Sequence, residues 1–252
     1  MIYRGMFITG TDTGVGKTAV ACGFARVFAD AGLKVGVLKP VETGCRREGC
    51  RLIPRDGLEL IKASGTDQAV ESVVPYCLEA PLAPLSAARE AGVELRLERI
   101  FQILDRMPGE CEFIIVEGAG GLMVPVREHF FFIDLIKASE LPCLIVAANR
   151  LGVINHTLLS IQALHDRGIA VLGVVLNQLT READPSCASN AEMISRLAGV
   201  EVLVDMPYYE PAVLDDRIYN ACRVVRDHVL ERADKEAWLS AMRYLQGKYQ
   251  EL

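Results

Sequence analysis

The stretch Phe7-Ile8-Thr9-Gly10-Thr11-Asp12-Thr13-Gly14-Val15-Gly16-Lys17-Thr18 constrains this chain more than any other. An apolar run predicts a strand. A turn rich in Gly and Thr follows and ends in Gly-Lys-Thr. Ala19-Val20-Ala21-Cys22-Gly23-Phe24-Ala25 then continues as a helix. The order strand, phosphate loop, helix lets small residues fold the backbone around an anion, with successive N–H groups aimed at phosphate oxygens. The helix N-terminus adds partial positive charge. Lys17 is placed to reach the β/γ-phosphates of a nucleotide such as ATP, and the Thr18 hydroxyl to bind Mg²⁺. The strict spacing asks for Gly at position 11, where Thr11 stands, with Gly10 one residue earlier. A glycine-rich turn with a chance Gly-Lys-Thr is the plain alternative, and the flanking strand and helix argue against it.

Elsewhere strands and helices alternate almost throughout. Val35–Leu38, Cys111–Val116, Cys143–Ala148, Val171–Leu176 and Val202–Val204 read as short, largely apolar strands. Helices are expected after the loop to about Asp30, over Gly57–Ala63, 84–91, 95–107, Phe132–Ser139, Asn155–Arg167 and Ala191–Leu197, and at the C-terminus to near Lys248. Asp56 reads as the N-cap of its helix. Residues 45–55 read as charged and irregular. The predicted fold class is α/β, phosphate-loop NTPase-like, with a mostly parallel sheet covered by helices on both faces. Residues 1–252 read as one domain, because the chain shows no internal repeat or linker and is long enough for one full core.

Ligands of such sheets bind beyond the carboxyl ends of the strands. The polar residues that end strands should therefore converge: Thr11 to Thr18, Lys39, Glu117, Asn149 and Asn177. Glu117 follows four apolar residues, where phosphate-loop enzymes place an acid that holds Mg²⁺. A carboxylate facing solvent is its alternative. Lys39 reads either as a surface lysine or as a charge beside a transferring phosphoryl group. Asp56 is fully explained by helix capping at this level. His129, His156, His165 and His228 form no ligand spacing.

Composition narrows the class. A net charge of −6 argues against nucleic acid as the main partner. No apolar run is long enough to cross a membrane, and Met1-Ile2-Tyr3-Arg4-Gly5 leads straight into the first strand without an apolar leader. The eight cysteines include no C-x-x-C pair, and a reduced cytoplasmic setting is expected. Cys45 and Cys50 lie among Arg46, Arg47 and Arg51, with no His nearby to complete a metal site.

Four blocks together carry a resemblance. Gly10–Thr18, Lys39-Pro40-Val41-Glu42-Thr43-Gly44, Val116-Glu117-Gly118-Ala119-Gly120-Gly121 and Gly152-Val153-Ile154-Asn155-His156 closely resemble dethiobiotin synthetases, in order and spacing over nearly the whole chain. The longer phosphate loop is that family's pattern. The resemblance implies ATP-dependent ring closure of 7,8-diaminononanoate with CO₂, through a carbamate and a carbamic–phosphoric anhydride. It implies nucleotide contacts from Thr13, Gly14, Val15, Gly16, Lys17, Thr18 and Ala19, from Asp56, Glu117, Gly118, Ala119 and Gly120, and from Asn177 and Pro207 at the adenine. Thr18, Asp56 and Glu117 would hold Mg²⁺. Lys17 and Lys39 would be catalytic. Thr11, Thr43, Gly152, Val153, Ile154 and Asn155 would meet the substrate, the last four from the second subunit of a homodimer. Some relatives have Ser where Thr43 stands. Glu210 is a candidate ribose contact, in a tail where relatives diverge. If the resemblance misleads, Asn155 is merely a helix cap.

Other functions remain in play at this level. A cobalamin-type amidoligase would need a glutaminase domain with a nucleophilic Cys, for which the chain is too short. A partitioning ATPase would carry a further lysine early in the loop, where Asp12 and Thr13 stand. A nucleotide-binding protein without turnover is the third.

Overall fold

In the computed structural model, residues 4–182 and 184–250 are described. The chain opens with β1 (Gly5–Gly10) and α1 (Lys17–Asp30), then β2 (Val35–Leu38) and the short β3 (Val41–Glu42). A hairpin of β4 (Arg46–Glu48) and β5 (Arg51–Ile53) leads to α2 (Arg55–Ser64), α3 (Val70–Val73) and β6 (Tyr76–Cys77). There follow α4 (Pro84–Ala91), α5 (Leu97–Glu110) and β7 (Phe113–Glu117), then a second hairpin of β8 (Pro125–Arg127) and β9 (Phe130–Phe131). The remainder is α6 (Phe132–Ser139), β10 (Cys143–Ala148), α7 (Val153–Asp166), β11 (Val171–Asn177), α8 (Cys187–Ala198), β12 (Val202–Met206) and α9 (Pro211–Gln250).

Six strands form one sheet in the order β12-β11-β10-β1-β7-β2. Every neighbouring pair is parallel. Strand side chains point to opposite faces in turn, and here both faces are apolar. Met6 and Ile8 of β1 join Phe113 and Ile115 of β7 under α1, while Phe7, Ile114 and Val116 face the opposite core. Phe28 of α1 packs tilted against Phe113 with ring centres 4.5 Å apart. Burial of each such ring is worth roughly 1.5–3 kcal/mol, so these contacts hold α1 against the strands that carry the site. The same alternation puts Glu117, two residues beyond Ile115, on the α1 face. The predicted α/β architecture with a parallel sheet is the one observed.

Several local expectations are corrected. Residues 46–53 are not irregular: Arg46 pairs with Ile53 and Glu48 with Arg51 in an antiparallel hairpin, and Arg47 braces it through an ion pair to Glu79. Asp56 is not an N-cap. Pro54 holds that place and α2 begins at Arg55, as a proline that lacks the N–H readily allows at a helix start. Likewise α7 begins at Val153, with Gly152 as its cap at φ 93°. Asn155 therefore lies inside the first turn and caps nothing. The helix α5 runs on through Pro108 to Glu110, because only its last turn contains the ring. Among the described residues no helix is long and apolar enough to cross a membrane.

Candidate active site

Parallel strands end on the same edge, and the polar residues that terminate them meet there. The loop between β1 and α1 closes over the start of α1. Gly16 sits at φ 95°, and a Cβ at that position would lie 2.4 Å from Asn177 Nδ2. Only glycine lets the loop approach the end of β11 this closely. Asn177 Nδ2 in turn donates to the Val15 carbonyl at 3.1 Å, which ties β11 to the loop.

At the centre lies a chain of charges. Lys39, at the end of β2, is 4% exposed. Its Nζ donates to Asp56 Oδ2 at 2.8 Å and to Glu117 Oε1 at 2.5 Å. The same Glu117 oxygen accepts from Thr18 Oγ1 at 2.8 Å. Glu117 is wholly buried, and its Oε2 has no hydrogen-bond partner. The surface readings of Lys39 and of Glu117 are thereby excluded. Burial alone would drive the Lys39 ammonium towards neutrality, but the charges and hydrogen bonds of Glu117 and Asp56 outweigh it and hold its pKa above the usual lysine range. Lys17 has no such pair: its Nζ donates to the Asp12 carbonyl at 2.8 Å. Burial, followed by the nearby Lys39 charge, brings its pKa down to about 8.

These groups line a cleft of about 790 Å³. Thr13, Gly14, Gly16, Lys17, Thr18, Ala19, Lys39, Thr43, Asp56, Glu117, Ala119 and Gly120 all face it. Val15 is buried beneath the loop. Gly118 is held in the sheet by its N–H to the Ile8 carbonyl at 2.9 Å. Thr11 donates its N–H to the Val146 carbonyl. Asn177 and Pro207 lie where β11 and β12 end, with Asn177 in register with Met206, beside the cleft and not on its wall. Glu210 pairs with Arg181 at 3.0 Å on the surface. Gly152, Val153, Ile154 and Asn155 also follow a strand of this edge, yet they do not line the cleft of their own chain.

The cleft contains residues to which the sequence assigned no role. Pro81, Leu82, Ala83 and Pro84 form an apolar rim where α4 begins. Glu42 and Glu59 add carboxylates. Burial pushes the Glu42 carboxyl up to about 7, against the pull of the Gly57 N–H. The prolines were visible in the sequence only as punctuation, and Glu42 only as a residue within the Lys-Pro-Val block.

A model of the family described as "AAA domain" matches residues 4–213. A dethiobiotin synthetase of Anaeromyxobacter dehalogenans, named as ATP-dependent, is 42% identical over 210 residues, covering 83% of this chain and 92% of that one. The namesake protein of Aquifex aeolicus is 37% identical, covering 90% and 98%. This chain belongs to the dethiobiotin synthetase family. It is therefore a ligase, and its phosphate loop, Lys39 and Glu117 meet in one cleft. A ParA family ATPase from Chlorobium tepidum superposes with a TM-score of 0.50 over 91% of this chain and 98% of that one, at 13% identity. That likeness concerns the fold alone.

Proposed function

We propose that this dethiobiotin synthetase, working as one domain over residues 1–252 in a cytoplasmic homodimer, closes the ureido ring of dethiobiotin from 7,8-diaminononanoate, CO₂ and ATP. The observation that carries the reading is Lys39, buried between Asp56 and Glu117, with Glu117 also accepting from the phosphate loop's own Thr18. One substrate amine adds to CO₂ and loses a proton, giving a carbamate. A carbamate oxygen attacks the γ-phosphorus and ADP leaves. The second amine then attacks the carbamoyl carbon, and phosphate leaves as the ring closes. No step needs a covalent nucleophile from the protein. What the protein must supply is position and positive charge. Lys17 and the N–H groups of Gly14–Thr18 would hold the phosphates, and Lys39 would neutralise charge as the phosphoryl group transfers.

Mg²⁺ fits this donor set. Glu117 has an unpartnered buried oxygen, Thr18 bonds its other oxygen, and Asp56 shares Lys39 with it. Among the described residues no group of three or more His, Cys, Asp or Glu side chains is arranged to hold a metal by itself. That agrees with Mg²⁺, which is usually held by one or two carboxylates together with substrate phosphates and water. Bound there, the ion would screen phosphate charge beside Lys17.

Asn177 and Pro207 would meet the base. Thr11 and Thr43 would meet the diamine end of the substrate. Its carboxylate would reach the first turn of α7 in the partner chain, where helix N–H groups lack partners within the helix. Leu151 and Leu159, 78% and 62% exposed, flank this turn. Two large apolar side chains beside it suit a surface covered by a second copy.

With MgATP, bicarbonate and 7,8-diaminononanoate, the purified protein should release ADP, phosphate and dethiobiotin in equal amounts. ATP hydrolysis that ignores the diamine would overturn the reading in favour of a switch ATPase.

A second expectation concerns pH. Below about 8 the free protein already carries a charged Lys17; above it the lysine is neutral. Phosphate oxygens favour the charged form. ADP affinity should thus fall as pH rises through about 8, with proton uptake on binding that grows over the same range. Calorimetry in buffers of different ionisation enthalpy checks this. Flat affinity with no uptake between pH 7 and pH 9.5 would show that Lys17 titrates outside this window.

A further inference from the structure

Glu42 is an acid buried to 5% exposure, and nothing in the proposed chemistry uses it. Its two oxygens have a common target. Oε1 accepts the Asp56 N–H at 3.0 Å, and Oε2 accepts the Gly57 N–H at 3.0 Å. Asp56 and Gly57 are the second and third residues of α2, in the first turn, where N–H groups have no partner inside the helix. A helix commonly satisfies one of them with its own N-cap side chain. Here Pro54 holds that place and makes no side-chain cap. The cap comes instead from β3, which is joined to the body of the protein through its pairing with β6.

Two bonds to one carboxylate set direction as well as distance. They fix the start of α2 against β3, both along the helix and about its axis. The Asp56 side chain leaves the backbone at that point, and its carboxylate accepts from Lys39 Nζ at 2.8 Å. Lys39 continues to Glu117, and Glu117 to Thr18. Glu42 thus stands at the far end of the same chain of contacts, one backbone step from Asp56.

We infer that Glu42 is a positioning residue: by gripping the first turn of α2 it aims the Asp56 carboxylate at Lys39 and at the cation that Asp56, Glu117 and Thr18 would share. The part concerning the cation rests on the proposed function. The part concerning Asp56 does not.

The test is a double-mutant cycle of Glu42→Gln and Asp56→Ala in the full chain. Gln keeps the volume and one acceptor oxygen but turns an NH₂ group towards the second N–H. Should the clash of that NH₂ with the backbone N–H prevent folding, Glu42→Asp, which withdraws the carboxylate by one methylene, takes its place. ADP affinity is measured by calorimetry with Mg²⁺ and with EDTA. Glu42→Gln should reduce the gain in affinity that Mg²⁺ brings by roughly 10-fold, the scale on which groups orienting metal ligands act, and leave the EDTA affinity unchanged. In the Asp56→Ala background the same substitution should add nothing, because the carboxylate it aims is absent. An unchanged Mg²⁺ gain with a lowered melting temperature would overturn the inference and leave Glu42 as an ordinary helix cap. A loss that persists in the Asp56→Ala background would overturn it too, since Glu42 would then act on the ligand directly. If the wild-type protein shows no Mg²⁺ gain at all, it is the cation reading that fails. The Lys39 ammonium, which donates to Asp56 Oδ2, then decides the positioning. A shift of its NMR resonance in Glu42→Gln that vanishes in the Asp56→Ala background supports it, and an unchanged resonance overturns it.

Discussion

Lys39→Ala is expected to lower kcat by roughly 10²–10³-fold, the cost of removing one preorganised donor from developing charge. The geometry makes this more than a deletion of one contact. Lys39 is the only described cation that donates to both Asp56 and Glu117. Without it Glu117, which is wholly buried, keeps only the Thr18 hydroxyl. Breaking a buried pair by removing one partner typically costs about 3–5 kcal/mol, less what Glu117 recovers by taking a proton. The melting temperature should fall along with kcat. Lys39→Met separates the two effects, since it restores apolar volume but not charge. Activity is therefore to be measured per folded molecule, at a temperature well below the midpoint. KM for ATP should change far less than kcat, because in the proposed site Lys17 and the loop N–H groups would hold the phosphates in the ground state. Near-normal turnover in both variants would reduce Lys39 to a structural ion pair.

Two inactive chains should make an active enzyme when mixed. This follows from the proposed homodimer, in which each site takes its phosphate loop from one chain and residues 152–155 from the other. Lys17→Ala disables the first part. Gly152→Glu would disable the second, by placing a β-carbon and a negative charge at a position with φ 93° beside the helix N–H groups that the proposal assigns to the substrate carboxylate. A mixed dimer carries both lesions in one site and none in the other. Random exchange yields half mixed dimers, so activity should recover to roughly a quarter of the wild-type value per chain, given two-fold symmetric dimers. Each variant alone should stay near background. If the chains exchange, as tagged copies would reveal, and no activity returns, the shared site is wrong. Residues 152–155 would then serve their own chain or none.

These expectations draw on different depths of the molecule. Gly10–Thr18 specifies its own local structure, because strand, small-residue turn and helix are all encoded within one short run. The buried strands were equally legible, since four or more consecutive apolar residues leave few other places in an α/β chain. With parallel strands assigned, the convergence of Lys39, Glu117 and Asn177 on one edge followed from topology alone. The family resemblance then attached roles to positions that geometry could only gather.

What stayed hidden depended on contacts between distant segments. Asp56 reads as a cap because Asp commonly caps. Its actual place in the second position of α2 is set by Pro54 before it and by Glu42, fourteen residues earlier. Nothing local to either residue announces that bond. Gly152 displaces Asn155 as the start of α7 because a left-handed φ, not a side chain, turns the backbone there. The charged run 46–53 folds as a hairpin through pairing across its own turn and through Glu79, which lies far along the chain. The sequence by itself determined the phosphate loop, the parallel sheet and the edge on which the site forms, since periodicity and small-residue turns are local properties. Only the tertiary structure decided that Lys39 is a buried charge between two acids and that Glu42 holds one of them in place, because ion pairing and burial are set by which distant residues the fold brings within hydrogen-bonding distance.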